Sequence, residues 1–551
     1  AGRAAHCRAE LSRRSMLDAI VIGGGPSGLG ASLALSGWQP HLVTGSSVAD
    51  RALSLRLKKQ VPADGLIPLD ALPALAAGLR GRSNNPLALF FDALQHPGVD
   101  QGRPLKSCLA LHRAEAGAAS GVEAGPLRHL VLDPAPPGGS WHSMHESTRT
   151  LSPGPWMELP GFTLADYLQS IEPSLGPAAA AARAEARQPR RLVAEYYRAA
   201  AAHFDVARHY RPWRVSSVEL EPGSAKDGAA VWTVHVDGVE GSPLRARSLV
   251  LGVGTYGVPR TLGIPGEELP WVVTRCAALP ASGVKAALVV GAGLSAADCI
   301  VHLLARGVAV THAYRGSWEA TKVGSKFGDD GARRLYPEYH ALVAAMRQQQ
   351  RAAASSAAAT AATAATAATG PSSLLGGSYA ALAGVELRRV HADGRCELES
   401  QGPPAAAGGA PPDAPAGAAP RTRHSVAVDA VAVLVGSAPD LSFLPRAVRD
   451  TLAAAGPPRQ ESAEGIKATH PVFVDVDPLS MEVQAVPSLF ALGPLRGDNF
   501  ARFAIHDGWG VAHAIRTQAA QVEGSQQSAD GSLCEPEATA AAAVAAVQDL
   551  K

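Results

Sequence analysis

The sequence predicts an α/β chain built on two parallel-sheet βαβ domains, and three observations carry that expectation. A strand-like run at 18–22 leads into GGGPSG and then an apolar, helix-like segment that reaches Ser36. A second unit of the same kind starts at Lys285, reading KAALVV, GAGLSA, ADCIVHLLAR, then Gly307 and the strand VAVTHAY. A glycine turn placed between a strand and a helix is the context in which Gly-x-Gly-x-x-Gly signals a dinucleotide and not an ordinary loop. Length agrees, because 551 residues exceed one domain and suit two or three, and 46% apolar residues supply the cores. The fold class is therefore α/β with two Rossmann-type dinucleotide-binding domains.

The first fingerprint is Gly23-x-Gly25-x-x-Gly28, with Ser27 inside the turn. The first glycine permits the tight turn, the second lets backbone approach a pyrophosphate, and the third allows close helix–strand packing; the helix N-terminus then faces the phosphates. The next strand is expected at 40–44. An acid for a ribose hydroxyl is expected at its end, near Thr44 or Gly45, but the stretch reads LVTGSS and the first acid is Asp50. Thr44 or Ser46 would then substitute as the hydrogen-bond donor. The second fingerprint is Gly291-x-Gly293-x-x-Ala296, with Ser295 in the turn. Alanine at the third position is commoner where the nucleotide is NADP. The strand that follows ends at Arg315, where a guanidinium would match a 2′-phosphate in shape and charge; the plainer reading of Arg315 is a solvated loop arginine.

Three further stretches have the residue types of a cofactor site. Gly138-Gly139-Ser140-Trp141 follows the apolar strand HLVLD, so two glycines bring backbone close to a ligand and an indole is available to pack on an aromatic ring. LVLGVGTYGVP, at 249–259, ends a strand in Gly254 and Thr255 and returns the chain past the pyrophosphate. A late strand and turn at 489–493 brings Gly493 and, beyond it, Asp498 toward a ribityl and phosphate region. Each of the last two, taken alone, is also an ordinary core strand with a glycine turn.

Several function classes are disfavoured. With 50 basic and 49 acidic residues the net charge is +1, so no basic footprint for nucleic acid exists. The six cysteines, Cys7, Cys108, Cys276, Cys299, Cys396 and Cys534, have no CxxC or CxxxxC spacing. That argues against a secreted disulfide framework and against a dithiol reductase. His142, His145 and Glu146 read as polar surface, and no metal site is expected. The apolar stretch 286–305 carries Asp298 and His302 and reads as strand, turn and helix, so no transmembrane segment is expected. The Arg-rich start, 1–15, reads as a flexible N-terminus, with an organelle transit-peptide remnant as the alternative. The location expected is cytoplasmic, or an organelle under that alternative. The runs 352–370 and 401–420 read as low-complexity surface insertion and linker, and 521–551 as a flexible tail. SVAVDAVAVLVGSAPD reads as a strand followed by a turn.

The order GGGPSG, GGSW, GVGT, GAGLSAAD and FALG resembles the class B flavin-dependent monooxygenases. More closely, GRSNNPLALFFDAL, GGSWHSM, LSPGPWMELPG, LYPEYH, LVGSAPDLSFLP and ALGPLRGDNFARF are similar to the oxidative-stress-induced growth inhibitor family, spread over about residues 20–515. The resemblance implies FAD at the first fingerprint and NADPH at the second, with a small-molecule substrate and O₂ as partners. In that class, NADPH reduces the flavin, which takes up O₂ as a C4a-hydroperoxide and oxygenates a nucleophile; the catalytic groups are those of the flavin itself. Two departures stand out. Where flavin-containing monooxygenases carry a T-N-S-like stretch, this chain has Thr150-Leu151-Ser152, and the FxGxxxH signature is missing after LGIPGE. The function expected is an FAD- and NADPH-dependent monooxygenase-like oxidoreductase. Its alternatives are an NADPH oxidase or a flavin-binding regulator of growth and oxidative stress. The domain plan is an FAD domain at 16–282, an NADPH domain at 283–430, and a return to the FAD domain at 431–520.

Overall fold

The computed structural model describes residues 16–114, 125–221, 230–238, 243–357, 377–400, 422–455 and 473–530. The expected linker 401–420, the start 1–15 and most of the run 352–370 lie outside these residues.

The chain divides into two compact units. The first holds 1–144, 149–255 and 439–551, and the second holds 145–148 and 256–438. The second unit therefore begins at 256, ahead of the expected 283. The reason is the short strand Val272–Val273, which joins the second unit's sheet and takes the preceding segment with it.

In the first unit, strand β1 (Leu17–Ile22) runs into helix α1 (Pro26–Leu35). Strands β2 (His129–Leu132) and β3 (Leu244–Leu251) flank β1, both parallel to it. Alternate residues of β1 feed opposite faces of the sheet, as the two-residue strand period demands. Ala19 and Val21 pack with Leu29 and Leu33 of α1, whereas Ile20 and Ile22 pack with Leu130, Leu132, Trp232 and Leu251. Burial on both faces explains why β1 reads as a continuous apolar run. The expected strand near 40–44 exists as Trp38–Leu42, but it pairs antiparallel with Leu109–Arg113, outside the main sheet.

The second unit repeats the plan. Strand β4 (Ala286–Val290), helix α2 (Leu294–Ala305) and strand β5 (Ala309–Tyr314) form its βαβ core. Strand β6 (Ala430–Val433) lies on the other side of β4, giving the parallel order Val272–Val273, β6, β4, β5, Tyr379–Ala383. The segment expected as one strand, SVAVDAVAVLV, is two, and β6 is the second of them. Arg423–Ala427 joins an antiparallel three-stranded sheet, and Asp429 breaks the run by accepting hydrogen bonds from the amides of Lys285 (2.8 Å) and Ala286 (2.9 Å).

The chain returns to the first unit through strand β7 (Leu489–Ala491), parallel to β3, and helix α3 (Asp507–Asp530). Helix α3 continues to Asp530, so the loose tail expected from 521 is helical over its first ten residues. Among the described residues no helix is long and apolar enough to cross a membrane.

Candidate functional site

In the first unit the glycine turn stands at the carboxyl end of β1, where open parallel sheets bind ligands. Gly23 has φ +107°, and a Cβ there would lie 2.4 Å from the Gly252 carbonyl oxygen. Gly252 donates its amide to Ile22 at 2.8 Å, so the turn after β3 backs directly onto the fingerprint. A Cβ at Gly28 would lie 1.9 Å from the Gly23 carbonyl oxygen, which is the close helix–strand approach expected of the third glycine. Gly25 differs: a Cβ there meets nothing within 4 Å. It is also the N-cap of α1, and no side chain caps that helix. The first amides of α1 and the partial positive charge of the helix end are thus left for an anion.

The GGSW loop closes over the same turn. Gly138 donates its amide to the Gly24 carbonyl at 2.8 Å, and Gly139, with φ +54°, lies against the Gly25 backbone. His142 donates from Nε2 to the Pro137 carbonyl at 2.9 Å, and Arg190 donates to the carbonyls of Trp141 and His142. Trp141 is half-buried and packs against the unit's core. The hydroxyls of Tyr197 and Tyr210 are buried without a hydrogen-bond partner among the described residues. Tyr197 lies beside Gly138 and Tyr210 beside Gly24, so two unpaired phenols border the glycine cradle.

The residue that sequence reasoning missed is Asp133. Because β2 is the strand next to β1, the acid at the end of the second strand is Asp133, directly after HLVL. Its Oδ2 accepts from the Gly24 amide at 2.6 Å and its Oδ1 from the Ala135 amide at 2.7 Å. Burial pushes its pKa up, against the pull of those two amides. Thr44 and Gly45 are exposed, and Asp50 caps the helix Arg51–Gln60 by accepting from the Leu53 amide at 2.8 Å. The signal was present, since Asp133 is an acid closing an apolar run five residues before Gly138.

The C-terminal return reaches the same turn. Gly493 has φ +54°, and a Cβ there would lie 2.2 Å from Ser27 Oγ, so these two residues are packed together. Asp498 lies five residues beyond Gly493. It is buried, accepts from Ser83 Oγ at 2.6 Å, and forms a 2.9 Å ion pair with Arg496. Arg496 also pairs with Asp507 at 3.0 Å, and Asp507 accepts the Gly493 amide at 2.7 Å and the Asn85 amide at 3.1 Å. Burial raises the Asp507 carboxyl to about 6. Asp498 therefore acts through a network that holds the Gly493 turn. Beyond β3, Gly254 has φ +64° with open space around its Cβ position, and Thr255 is half-buried.

The second unit builds the same geometry. Gly291 has φ +137°, and a Cβ there would lie 2.2 Å from the Leu434 carbonyl oxygen at the end of β6. A Cβ at Gly293 meets nothing within 4 Å, and Gly293 is the N-cap of α2, again with no side-chain cap. Ala296 is buried beneath the turn and Ser295 is exposed. Arg315 follows β5, is exposed, and has no hydrogen-bond or ion-pair partner among the described residues. The hydroxyl of Tyr314, just before it, is buried and unpaired among the described residues. A buried histidine missed by the sequence reading secures this turn. His312 Nε2 donates to the Gly291 carbonyl at 2.6 Å and Nδ1 accepts from the Tyr379 hydroxyl at 2.8 Å. Burial lowers its pKa to about 4, so the ring is neutral.

Residues 116–361 match the pyridine nucleotide-disulphide oxidoreductase family. Human oxidative stress-induced growth inhibitor 1 is 31% identical over 519 residues, covering 91% of this chain and 95% of its own. The chain belongs to the oxidative stress-induced growth inhibitor family. The mouse growth inhibitor 1 is 32% identical over 508 residues, covering 88% of this chain and 92% of its own. Among solved structures, a bacillithiol disulfide reductase from Bacillus cereus aligns with TM-score 0.49 and 15% identity over 92% of this chain and all of its own. In this member of the family, each unit carries a parallel α/β sheet with a glycine turn between a strand and its helix.

Proposed function

We propose that this chain is an FAD- and NADPH-dependent oxidoreductase of monooxygenase type, with FAD on the first unit and NADPH on the second. The observation that supports it is the pair of glycine cradles. Each lies at the carboxyl end of a parallel strand, each has one glycine whose Cβ position is open, and each faces an uncapped helix N-terminus. FAD would lie on Gly25 and Gly139, with Asp133 toward a ribose hydroxyl and the Gly493–Ser27 contact beside the phosphates. NADPH would lie on Gly293, with Arg315 on the 2′-phosphate. When bound, the flavin accepts a hydride from NADPH and passes electrons to O₂. The chain's own residues bind the two pyrophosphates, orient the nucleotides and hold the turns rigid.

A second reading rests on Leu151. It stands in the short strand Arg149–Pro153, where flavin-containing monooxygenases carry an asparagine, and its side chain offers no hydrogen bond. That substitution favours an NADPH oxidase, or a flavoprotein kept for regulation, over an efficient oxygenase. The test is to purify the protein with FAD and follow NADPH oxidation, O₂ uptake and peroxide release together. Flavin-dependent NADPH oxidation with O₂ uptake exceeding peroxide release supports oxygenation. One peroxide per NADPH supports the oxidase. FAD retention without reduction by NADPH supports the regulatory role, and failure to hold FAD refutes the proposal.

A further inference from the structure

The strand order shows where the first unit departs from a plain βαβ unit. Strand β2 lies beside β1 and parallel to it, yet residues 36–128 separate it from the end of α1. This insertion holds three of the four large apolar side chains that the first unit exposes among the described residues: Val43 (41%), Leu55 (61%) and Leu105 (46%). Two of its loops are joined where they leave the paired strands Trp38–Leu42 and Leu109–Arg113. The Val43 amide donates to the Cys108 carbonyl at 2.8 Å, and the Cys108 thiol donates to the Ser47 carbonyl at 3.4 Å. The loop 103–107 therefore comes up beside the loop 43–50, which runs directly into the helix Arg51–Gln60. That helix buries Leu53 and Leu57 and exposes Arg51, Leu55, Lys58 and Lys59, at positions i, i+4, i+7 and i+8 of one face. Arg103 and Lys106 are exposed on either side of Leu105. None of these five cations has a hydrogen-bond or ion-pair partner among the described residues. The acids nearby are engaged: Asp50 caps the helix, Asp64 accepts the Leu66 amide at 3.0 Å, and Asp100 pairs with Arg82 and Arg502.

We propose that this face of the insertion docks the protein on an anionic lipid bilayer. A bilayer supplies both things that these side chains lack. Its headgroups bring negative charge to the five cations, and the hydrocarbon just beneath takes up Val43, Leu55 and Leu105. The lysine stems lie along that apolar boundary and keep their ammonium groups at headgroup level. An acidic protein fits the face less well. Protein interfaces are enriched in aromatic residues and depleted in lysine, whereas 43–59 and 103–107 present Lys58, Lys59 and Lys106 and contain no Tyr, Trp or Phe. The contact is peripheral and reversible, because the apolar side chains reach only the boundary layer and salt screens exposed cations. No residue of either glycine cradle belongs to this surface.

The test is co-sedimentation of the full chain with phosphatidylcholine vesicles, and with vesicles in which a third of that lipid is replaced by phosphatidylserine. The protein should pellet with the anionic vesicles at low salt, stay in solution with phosphatidylcholine alone, and be released as salt rises. Each cation near an anionic surface contributes about fivefold, so Lys58→Gln combined with Lys59→Gln should weaken binding about 25-fold. Leu55→Ser combined with Leu105→Ser should weaken it too, at unchanged charge. Arg333→Gln combined with Arg334→Gln removes two exposed cations of the second unit and should bind as the wild type does. All six side chains are exposed, so the fold tolerates their replacement. Anionic vesicles that fail to pellet the wild type overturn the proposal. So does a lysine or leucine variant that binds undiminished, or an equal loss in the Arg333 and Arg334 variant. Binding to soluble polyglutamate with none to vesicles overturns it in favour of an acidic protein.

Discussion

The two glycines Gly25 and Gly28 stand three residues apart, and substitution by alanine should separate cofactor binding from folding. At Gly28 the added methyl would sit 1.9 Å from the Gly23 carbonyl oxygen, a rigid backbone atom of the same turn. Overpacking of this kind costs about 1–3 kcal/mol or more, because the turn must move off β1. At Gly25 nothing lies within 4 Å, and the backbone there, φ −70° and ψ −172°, suits any L-residue. Gly25→Ala should therefore keep or slightly raise the stability of the FAD-free protein, by about 0.4–1 kcal/mol through the unfolded state. If a pyrophosphate lies on Gly25, the same methyl intrudes on the ligand. An overlap cost of about 1–3 kcal/mol weakens FAD about 5- to 150-fold. The assay is FAD titration by flavin fluorescence, paired with thermal unfolding of the flavin-free protein. Gly28→Ala should lower the melting temperature with or without FAD. A Gly25→Ala protein that binds FAD as tightly as the wild type would refute the placement of the pyrophosphate, whatever its stability.

Arg315→Ala should raise KM for NADPH by at least tenfold and leave NADH unchanged, because only NADPH carries the 2′-phosphate; equal effects on both sink its role. His312 contributes an acid-labile term. Its folded pKa of about 4 lies below the ordinary value of 6.5, so stability is fully present above pH 6.5 and is lost as pH falls toward 4. The loss is on the order of 3 kcal/mol. Urea unfolding of His312→Gln between pH 7 and 4 should show a flatter dependence than the wild type, though lower stability at pH 7, and parallel curves would contradict the assignment. Leu151→Asn should lower the peroxide released per NADPH consumed; an unchanged ratio removes Leu151 as the cause of uncoupling.

Much of this protein was legible because its signals are local. Each glycine fingerprint needs only a strand, a turn and a helix in succession, and Gly23, Gly25, Gly28, Gly291 and Gly293 adopt the turn that their spacing implies. The two α/β units follow from the same runs, and the family follows from stretches distributed along the chain. What the sequence did not show depends on which strand lies beside which. Asp133 became the acid of the first site only because β2 pairs with β1 while Trp38–Leu42 pairs elsewhere, and strand order is settled by burial of whole faces. Asp498 was legible as an acid near the late turn, but not that its carboxylate accepts from Ser83, far away in sequence, as well as pairing with the nearby Arg496. His312 meets Gly291 for the same reason: packing brings together groups that no spacing rule connects. The sequence by itself determined the two cradles, and the tertiary structure decided which side chains reach them.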